Sequence, residues 1–346
     1  MDDFTLIRHL KWFRYFGNFP FTMRFPKFCQ ISKSFLLVSA IYEILLFASA
    51  LNPNVRTGSG GTAISTLTLW LWVISYLTPH FLLLTTVARR KRIENVIIST
   101  LRLQRRPKMA YPYHPSIKWV AVLSAILILS FLAYRITMIA VGNSVIGALI
   151  GELLSFVFTI VLLSSAFQFT YMALVLAECF QRLSNRIVAD PKISVTQYVR
   201  VYCQIEKTCL ELNRIYDPSL SSALANSILA LLYCVSFSFN NYKLEIRERI
   251  GEMSFFVIPF MLVAQISYTG QTVSNQAEAC RIAMLHSRIH YKRKSSEDDL
   301  MLIFLSGSKP LALKALQSFN VNYSLGLSMI ATCLTYTIVL YQTAKT

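Results

Sequence analysis

Few side chains of chemically active type occur in this sequence, and three of the ionisable ones stand inside long apolar runs: Glu43, Arg135 and Glu152. A charge is expensive in an apolar medium, so such residues face a partner, a cavity or a ligand. Arg135 and Glu152 can neutralise each other, or they can line a pocket for a small molecule; from the residues alone both readings stay open. Aromatic residues gather in the same parts of the chain: Trp70, Trp72, Phe131, Tyr134, Phe156, Tyr233, Phe237, Phe255 and Phe256. Rings of this kind offer stacking area with an occasional polar handle, which is how small organic ligands are held. Bond-making chemistry has no comparable support. His286 and His290 lie four apart on one helical face, but the glutamate of a zinc-protease HExxH is missing. None of the seven cysteines has CxxC or other metal-ligand spacing. The sequence therefore predicts a binding protein with no catalytic centre, no metal and no cofactor.

The elements that must position these residues follow from composition. Of 346 residues, 54% are hydrophobic and 15% charged, against roughly 25% charged in soluble domains. Mean hydropathy is +0.48. So apolar a chain excludes disorder, a fibrous repeat and a soluble enzyme. A hydrocarbon core of about 30 Å takes about 20 apolar residues as a helix. The runs Ser34–Leu51, Ala63–Ala88, Ile117–Val141, Ser144–Leu176, Leu220–Asn240, Ile250–Thr272 and Tyr323–Gln342 meet that length. The prediction is an all-α polytopic membrane protein with seven transmembrane helices, forming a single domain over 1–346. Pro79 and Pro259 are expected to kink the second and sixth helices.

Charge sets the orientation. The N-terminal tail and the segments 89–118, 177–219 and 273–322 hold 28 Lys and Arg residues, whereas the opposite side holds five. Basic loops stay in the cytosol, so the N-terminus is expected inside and the C-terminus outside. Residues 1–33 have no apolar core followed by a small-residue cleavage site, so the first helix is expected to act as its own insertion signal. With this topology no cysteine reaches an external loop, and reduced, packed thiols are expected. The net charge of +17 thus reports topology, and nothing supports nucleic acid as a partner. The Arg89-Arg90-Lys91-Arg92 cluster is expected to fix topology and to meet anionic lipid headgroups.

Several cytosolic segments look helical. Tyr198, Tyr202, Ile205, Cys209, Leu212 and Tyr216 recur at spacings of three and four. A shorter stripe, Phe180, Leu183, Ile187 and Val188, follows the fourth span. A weaker one, Ile282, Leu285 and Ile289, continues the sixth, and Leu300–Leu316 reads as a further amphipathic helix. Asp190-Pro191 and Asp217-Pro218 are expected to break helices, because the residue before proline avoids the helical region. These pieces, approximately 177–219 and 273–322, predict a cytosolic anchor bundle, with 323–343 as the last helix. The Asn322-Tyr-Ser sequon falls at the cytosolic membrane edge and is expected to stay unmodified.

That last helix carries Thr335-Tyr336, five mostly apolar residues and Gln342. With seven spans, an internal N-terminus and cytosolic helix extensions, the chain resembles the insect gustatory receptor family, whose signature is Thr-Tyr, five hydrophobic residues, then Gln-Phe; the family is related to the insect odorant receptors. Thr343 stands where that family has Phe. The resemblance implies a homotetramer, alone or with other receptor subunits, forming a ligand-gated, non-selective cation channel for sodium, potassium and calcium. It implies that the last helix lines the pore and that helices two to six form an outer pocket, in the plasma membrane of a sensory neuron dendrite. Helical geometry is compatible: Thr335, Ile338, Val339 and Gln342 share one face, and rings of apolar and neutral polar side chains can gate by dewetting. Thr343 would seal less than a ring does. The sparse polar groups among the aromatics favour a bitter or plant secondary compound over a sugar as the tastant. Two other classes fit the sequence less well. A G-protein-coupled chemoreceptor needs an external N-terminus, and a transporter would show internal repeats.

Overall fold

The computed structural model describes residues 88–104, 146–189, 195–240, 246–290 and 310–343, with isolated positions between 37 and 85 and at 303 and 307. Side chains are described over 165–189, 196–232, 259–286 and most of the first and last of these segments. Five helices and one hairpin appear among them: α1 (Arg90–Gln104), α2 (Ile146–Ala189), α3 (Val195–Asn240), α4 (Ile246–His290), β1 (Lys314–Ala315), β2 (Phe319–Asn320) and α5 (Tyr323–Thr343).

Helices α2, α3 and α4 run for 44, 46 and 45 residues. At 1.5 Å per residue that is roughly 65–70 Å, about twice a bilayer's hydrocarbon core. The expected fourth, fifth and sixth spans therefore continue without interruption into the stripes placed beyond them. Asp217-Pro218 does not end a helix: Pro218 lies inside α3. Asp190-Pro191, the other expected break, lies outside the described residues, which follow α2 to Ala189. The basic 89–118 segment is helical over its first half, as α1, whose Ile93, Val96, Ile97 and Leu101 make one buried face. Among the described residues no helix is both long and apolar enough to cross a membrane; the expected spans draw much of their length from residues outside that set, including every α2 side chain before Ser165.

Ring contacts fix the register. Phe169 meets Tyr216 at 5.9 Å between centroids, and Phe180 meets Tyr202 at 5.3 Å. Advancing along α2 thus retreats along α3, so the two are antiparallel. Thr269 Oγ1 donates to Thr170 Oγ1 at 3.4 Å, which sets α4 beside α2. The core lies between these three helices and α1, and its largest wholly enclosed side chains include Phe169, Phe180, Ile97, Leu103 and Met172. Burying each contributes about 1.5–3 kcal/mol relative to exposure. Every member of the Tyr198–Tyr216 stripe is buried, as are Phe180, Leu183 and Ile187. Val188 is 74% exposed. The α4 stripe differs from the expected one: Val273, Ala277, Cys280 and Met284 face the core while Ile282 is 44% exposed, Leu285 is only partly buried, and Ile289 lies outside the described side chains. At 100° per residue Ile282 sits about 140° from Ala277, on the far side of the helix. Spacing to the partners outweighed side-chain hydrophobicity.

The stretch Leu300–Leu316 is not one amphipathic helix. Ile303 and Gly307 are helical, but from Pro310 the chain is non-helical and turns as a hairpin, with Lys314 paired to Asn320 and Ala315 to Phe319. Leu311, Leu313 and Ala315 are buried, a period of two that fits a strand and not a helix. The backbone is also held from outside. Lys314 N donates to Asn213 Oδ1 at 3.1 Å and Leu316 N to Ser221 Oγ at 3.0 Å, both on α3. Leu316 and Gln317 take φ of 53° and 56°, and Ser318 N closes on Ala315 O at 3.2 Å. This is the primed turn that matches strand twist, formed here without the usual Asn or Gly. Leaving the hairpin, Asn322 caps α5 by accepting from Leu325 N at 3.0 Å. The sequon asparagine therefore has a structural task.

Candidate functional site

Helix α5 has two unlike faces. One is seated on α3 and α4. A Cβ added at Gly326 would stand 2.9 Å from Ser267 Oγ, Met329 and Cys333 are buried, and the Cys333 thiol lies 4.0 Å from Ile228 O. The seat extends one step before the helix. At Gly270 of α4 an added Cβ would fall 1.9 Å from Val321 O, so only a glycine lets this carbonyl come so near. Val321 N in turn donates to Leu313 O at 2.8 Å. A glycine in a helix interior costs about 1 kcal/mol against alanine, and close backbone approach is what it gains here. That cost was a legible signal at Gly270 and Gly326, which composition and spans alone passed over.

The other face is uncovered in the single chain. Thr335, Ile338, Val339 and Gln342 all lie on it and are exposed, Ile338 by 56% and Val339 by 48%. Tyr336, Leu327 and Leu334 widen the apolar surface. Its hydroxyls bond to their own helix: Ser328 donates to Ser324 O at 3.0 Å, Thr332 to Ser328 O at 2.7 Å and Thr335 to Ala331 O at 2.9 Å. Their protons are thus withdrawn from the surface, which is left mainly apolar with neutral oxygen acceptors. An apolar patch of this extent marks a contact with protein or lipid. Thr343 belongs to α5, but its side chain lies outside the described residues.

Of the expected pocket residues, Trp70, Trp72, Phe131, Tyr134 and Arg135 lie outside the described residues, as does Glu43. Glu152 and Phe156 are in α2, Tyr233 and Phe237 in α3, and Phe255 and Phe256 in α4, with only their backbones described. Phe169–Tyr216 and Phe180–Tyr202 set the direction of α3, and Thr170–Thr269 with Cys280 and Arg281 near Tyr202 sets that of α4, so these six positions fall at one end of the α2–α4 stack, the end away from Tyr198.

Near Tyr198 the electrostatics are those of a dry core. Burial pushes the Cys179 and Cys280 thiols up to about 12, raises Cys209 strongly, and lifts the Tyr202 and Tyr216 hydroxyls. Thiols held this far from thiolate are poor nucleophiles and metal ligands. Among the described residues no disulfide forms between the cysteines (179, 203, 209, 280 and 333), and no group of three or more His, Cys, Asp or Glu could hold a metal. Arg182 pairs with Glu178, and Arg281 Nη2 reaches Glu278 Oε1 at 2.8 Å. A cavity of about 10 Å³ lies between α1, α2 and α3, room for about one water and far too small for an organic ligand. Arg89 departs from the expected headgroup cluster: its guanidinium turns inward onto α3 carbonyls, whereas Arg90, Lys91 and Arg92 are exposed.

This arrangement can be set beside known proteins. The sequence profile described as 7tm chemosensory receptor matches residues 6–346. The fold is similar to that of the insect olfactory receptor OR5 from Machilis hrabei, with TM-score 0.77, 16% identity and coverage of 99% of this chain and 100% of that one. The same receptor in complex with eugenol gives TM-score 0.75 and 16% identity, again over 99% and 100% of the two chains. No curated protein sequence matches significantly. At this identity the structures show the shared fold, and the profile, spanning nearly the whole length, shows the family: the chain belongs to the 7tm chemosensory receptors.

Proposed function

We propose that this chain is a gustatory receptor that acts as a ligand-gated, non-selective cation channel, opened by an extracellular small-molecule tastant. The observation that carries the reading is the uncovered face of α5. A helix seated on one side and apolar on the other, with Thr335, Ile338, Val339 and Gln342 in line, is built to meet neighbours or a pore. Four subunits meeting around this helix would turn that face toward a shared axis. The neutral oxygen groups, with no charge on the face, suit conduction without strong ion selection and gating by dewetting.

The chain is oriented with its N-terminus in the cytosol and its C-terminus outside, by the distribution of Lys and Arg. Ligand enters at the Glu152 end of the helix stack, where the aromatic positions of α2, α3 and α4 gather. That the related olfactory receptor was obtained in complex with eugenol, an aromatic plant compound, supports a small, mainly apolar ligand here also. A plant secondary or bitter compound fits the aromatic positions better than a sugar, which needs many matched hydroxyl partners. Gustatory assignment rests on the Thr335-Tyr336 and Gln342 pattern.

Recording from excised patches without G protein tests the reading. Ligand-evoked cation current is expected, and Gln342→Ala should alter conductance or block. Current that requires a G protein, or a Gln342→Ala channel indistinguishable from wild type, overturns it.

A further inference from the structure

Pro218 stands inside α3. It has no N–H to offer the carbonyl four residues back, that of Arg214, and its ring pushes that carbonyl out of line. The missing donor is replaced from another part of the chain. Arg89 Nη1 donates to Arg214 O and to Ile215 O, each at 2.8 Å. A guanidinium makes charge-assisted bonds stronger than the one lost, and it cannot lose its proton near neutral pH.

Arg89 is itself held in place. Its amide donates to Thr85 O at 3.0 Å, and its carbonyl accepts from Arg92 N at 2.9 Å and Ile93 N at 3.1 Å. The backbone that carries the side chain is thereby held just before α1 begins. Ile93 and Ile97 of α1 face Leu212, Ile215 and Tyr216 of α3 across the small cavity, beside Gln168.

The same nine residues of α3 hold the hairpin that leads into α5. Asn213 Oδ1 accepts from Lys314 N, and Ser221 Oγ accepts from Leu316 N while donating to Asp217 Oδ1 at 3.4 Å. The joint before α1, the proline in α3 and the lead-in to α5 therefore meet within Asn213–Ser221.

We propose that Asn213–Ser221 is a hinge in α3, that Arg89 is the clasp holding it in one bend, and that bending there is passed through the hairpin to α5. Arg89 is a positioning residue. It touches neither the proposed pocket nor the proposed pore. The clasp stands on geometry alone, whereas its effect on opening rests on the channel reading above.

A double-mutant cycle with Arg89→Ala and Pro218→Ala in the purified full-length protein tests the clasp, read by amide hydrogen exchange over 216–224. Arg89→Ala is expected to speed exchange there by about ten-fold or more, the order of losing one charged hydrogen bond. Pro218→Ala restores the helical donor to Arg214 O, so adding Arg89→Ala to it should change exchange less than about two-fold. Equal acceleration in both backgrounds, or none in either, overturns the clasp. Should Arg89→Ala fail to accumulate, recovery by Pro218→Ala supports the proposal and failure of both the single and double variants overturns it. Coupling to opening is read as ligand-free current in patched cells. A change of about five-fold or more in Arg89→Ala, the lower range of allosteric coupling, is expected. Unchanged current beside accelerated exchange overturns the coupling alone, and a wild type that never conducts sinks the channel reading while the exchange result still decides the clasp.

Discussion

Two regions of this molecule are made from similarly apolar residues and end in opposite surroundings. At the Tyr198 end of α2, α3 and α4, Phe180, Tyr202, Ile205 and Cys280 are buried. Of the described α5 residues, those of the strip Gly326, Met329 and Cys333 are buried, whereas Ile338, Val339 and Tyr336 are about half exposed. The first region completes its core within one chain, as a soluble domain would. The second leaves its apolar surface for something else to cover. Hydrophobicity therefore does not mark the functional helix; incompleteness of its packing does.

The sharpest way to break this contrast is to remove equal apolar bulk from each region. Phe180→Ala should cost about 3–5 kcal/mol, seen as a large fall in the unfolding temperature of the detergent-solubilised protein. Ile338→Ala and Val339→Ala should shift the dispersed single chain by less than about 0.5 kcal/mol, while weakening assembly in a mass measurement of the solubilised complex. Similar losses in both regions would mean that α5 is already complete in the monomer.

The seat joining the two regions should respond next most strongly. Gly270→Ala drives a methyl into Val321 O, an overpacking worth about 1–3 kcal/mol, and should expose the α5 lead-in to limited proteolysis. The hairpin above it should respond with the opposite sign. Gln317→Gly relieves a left-handed non-glycine and should stabilise by about 1 kcal/mol, measured as a raised unfolding temperature. No gain would place the turn's conformation under tertiary control alone.

The smallest expected effect concerns charge at the rim of the bundle. Burial raises the Glu206 carboxyl above its ordinary range. A raised folded value means that its stabilising share is present below the unfolded pKa and is lost as pH rises through the folded one. At neutral pH the ionised group opposes folding. Glu206→Gln should thus be more stable than wild type at pH 7 by about a few tenths of a kcal/mol, since partly exposed groups are screened, and the difference should vanish as pH falls toward 4.

Much of the Tyr198 end of the bundle is legible in the sequence. The Tyr198–Tyr216 stripe is written in strong apolar residues at regular helical spacing, and all of it is buried. On α4 the buried face uses Val273, Ala277, Cys280 and Met284, types too mildly apolar to stand out beside Ile282. The Leu311, Leu313 and Ala315 alternation was present in the sequence, yet it was outweighed by the helix-like reading of the longer stretch, and the hydrogen bonds from Asn213 and Ser221 that settle it come from about 95–100 residues away.

By itself the order of residues determined the helical class, the lengths of the apolar runs, the basic asymmetry and the Thr335-Tyr336 to Gln342 pattern, because these depend on local periodicity and on transfer of side chains from water. Tertiary structure alone decided that Pro218 stays inside α3: Arg89, far away in the chain, reaches its orphaned carbonyl. It also decided which apolar faces are finished and which are left open, since burial is a property of neighbours and not of the residue.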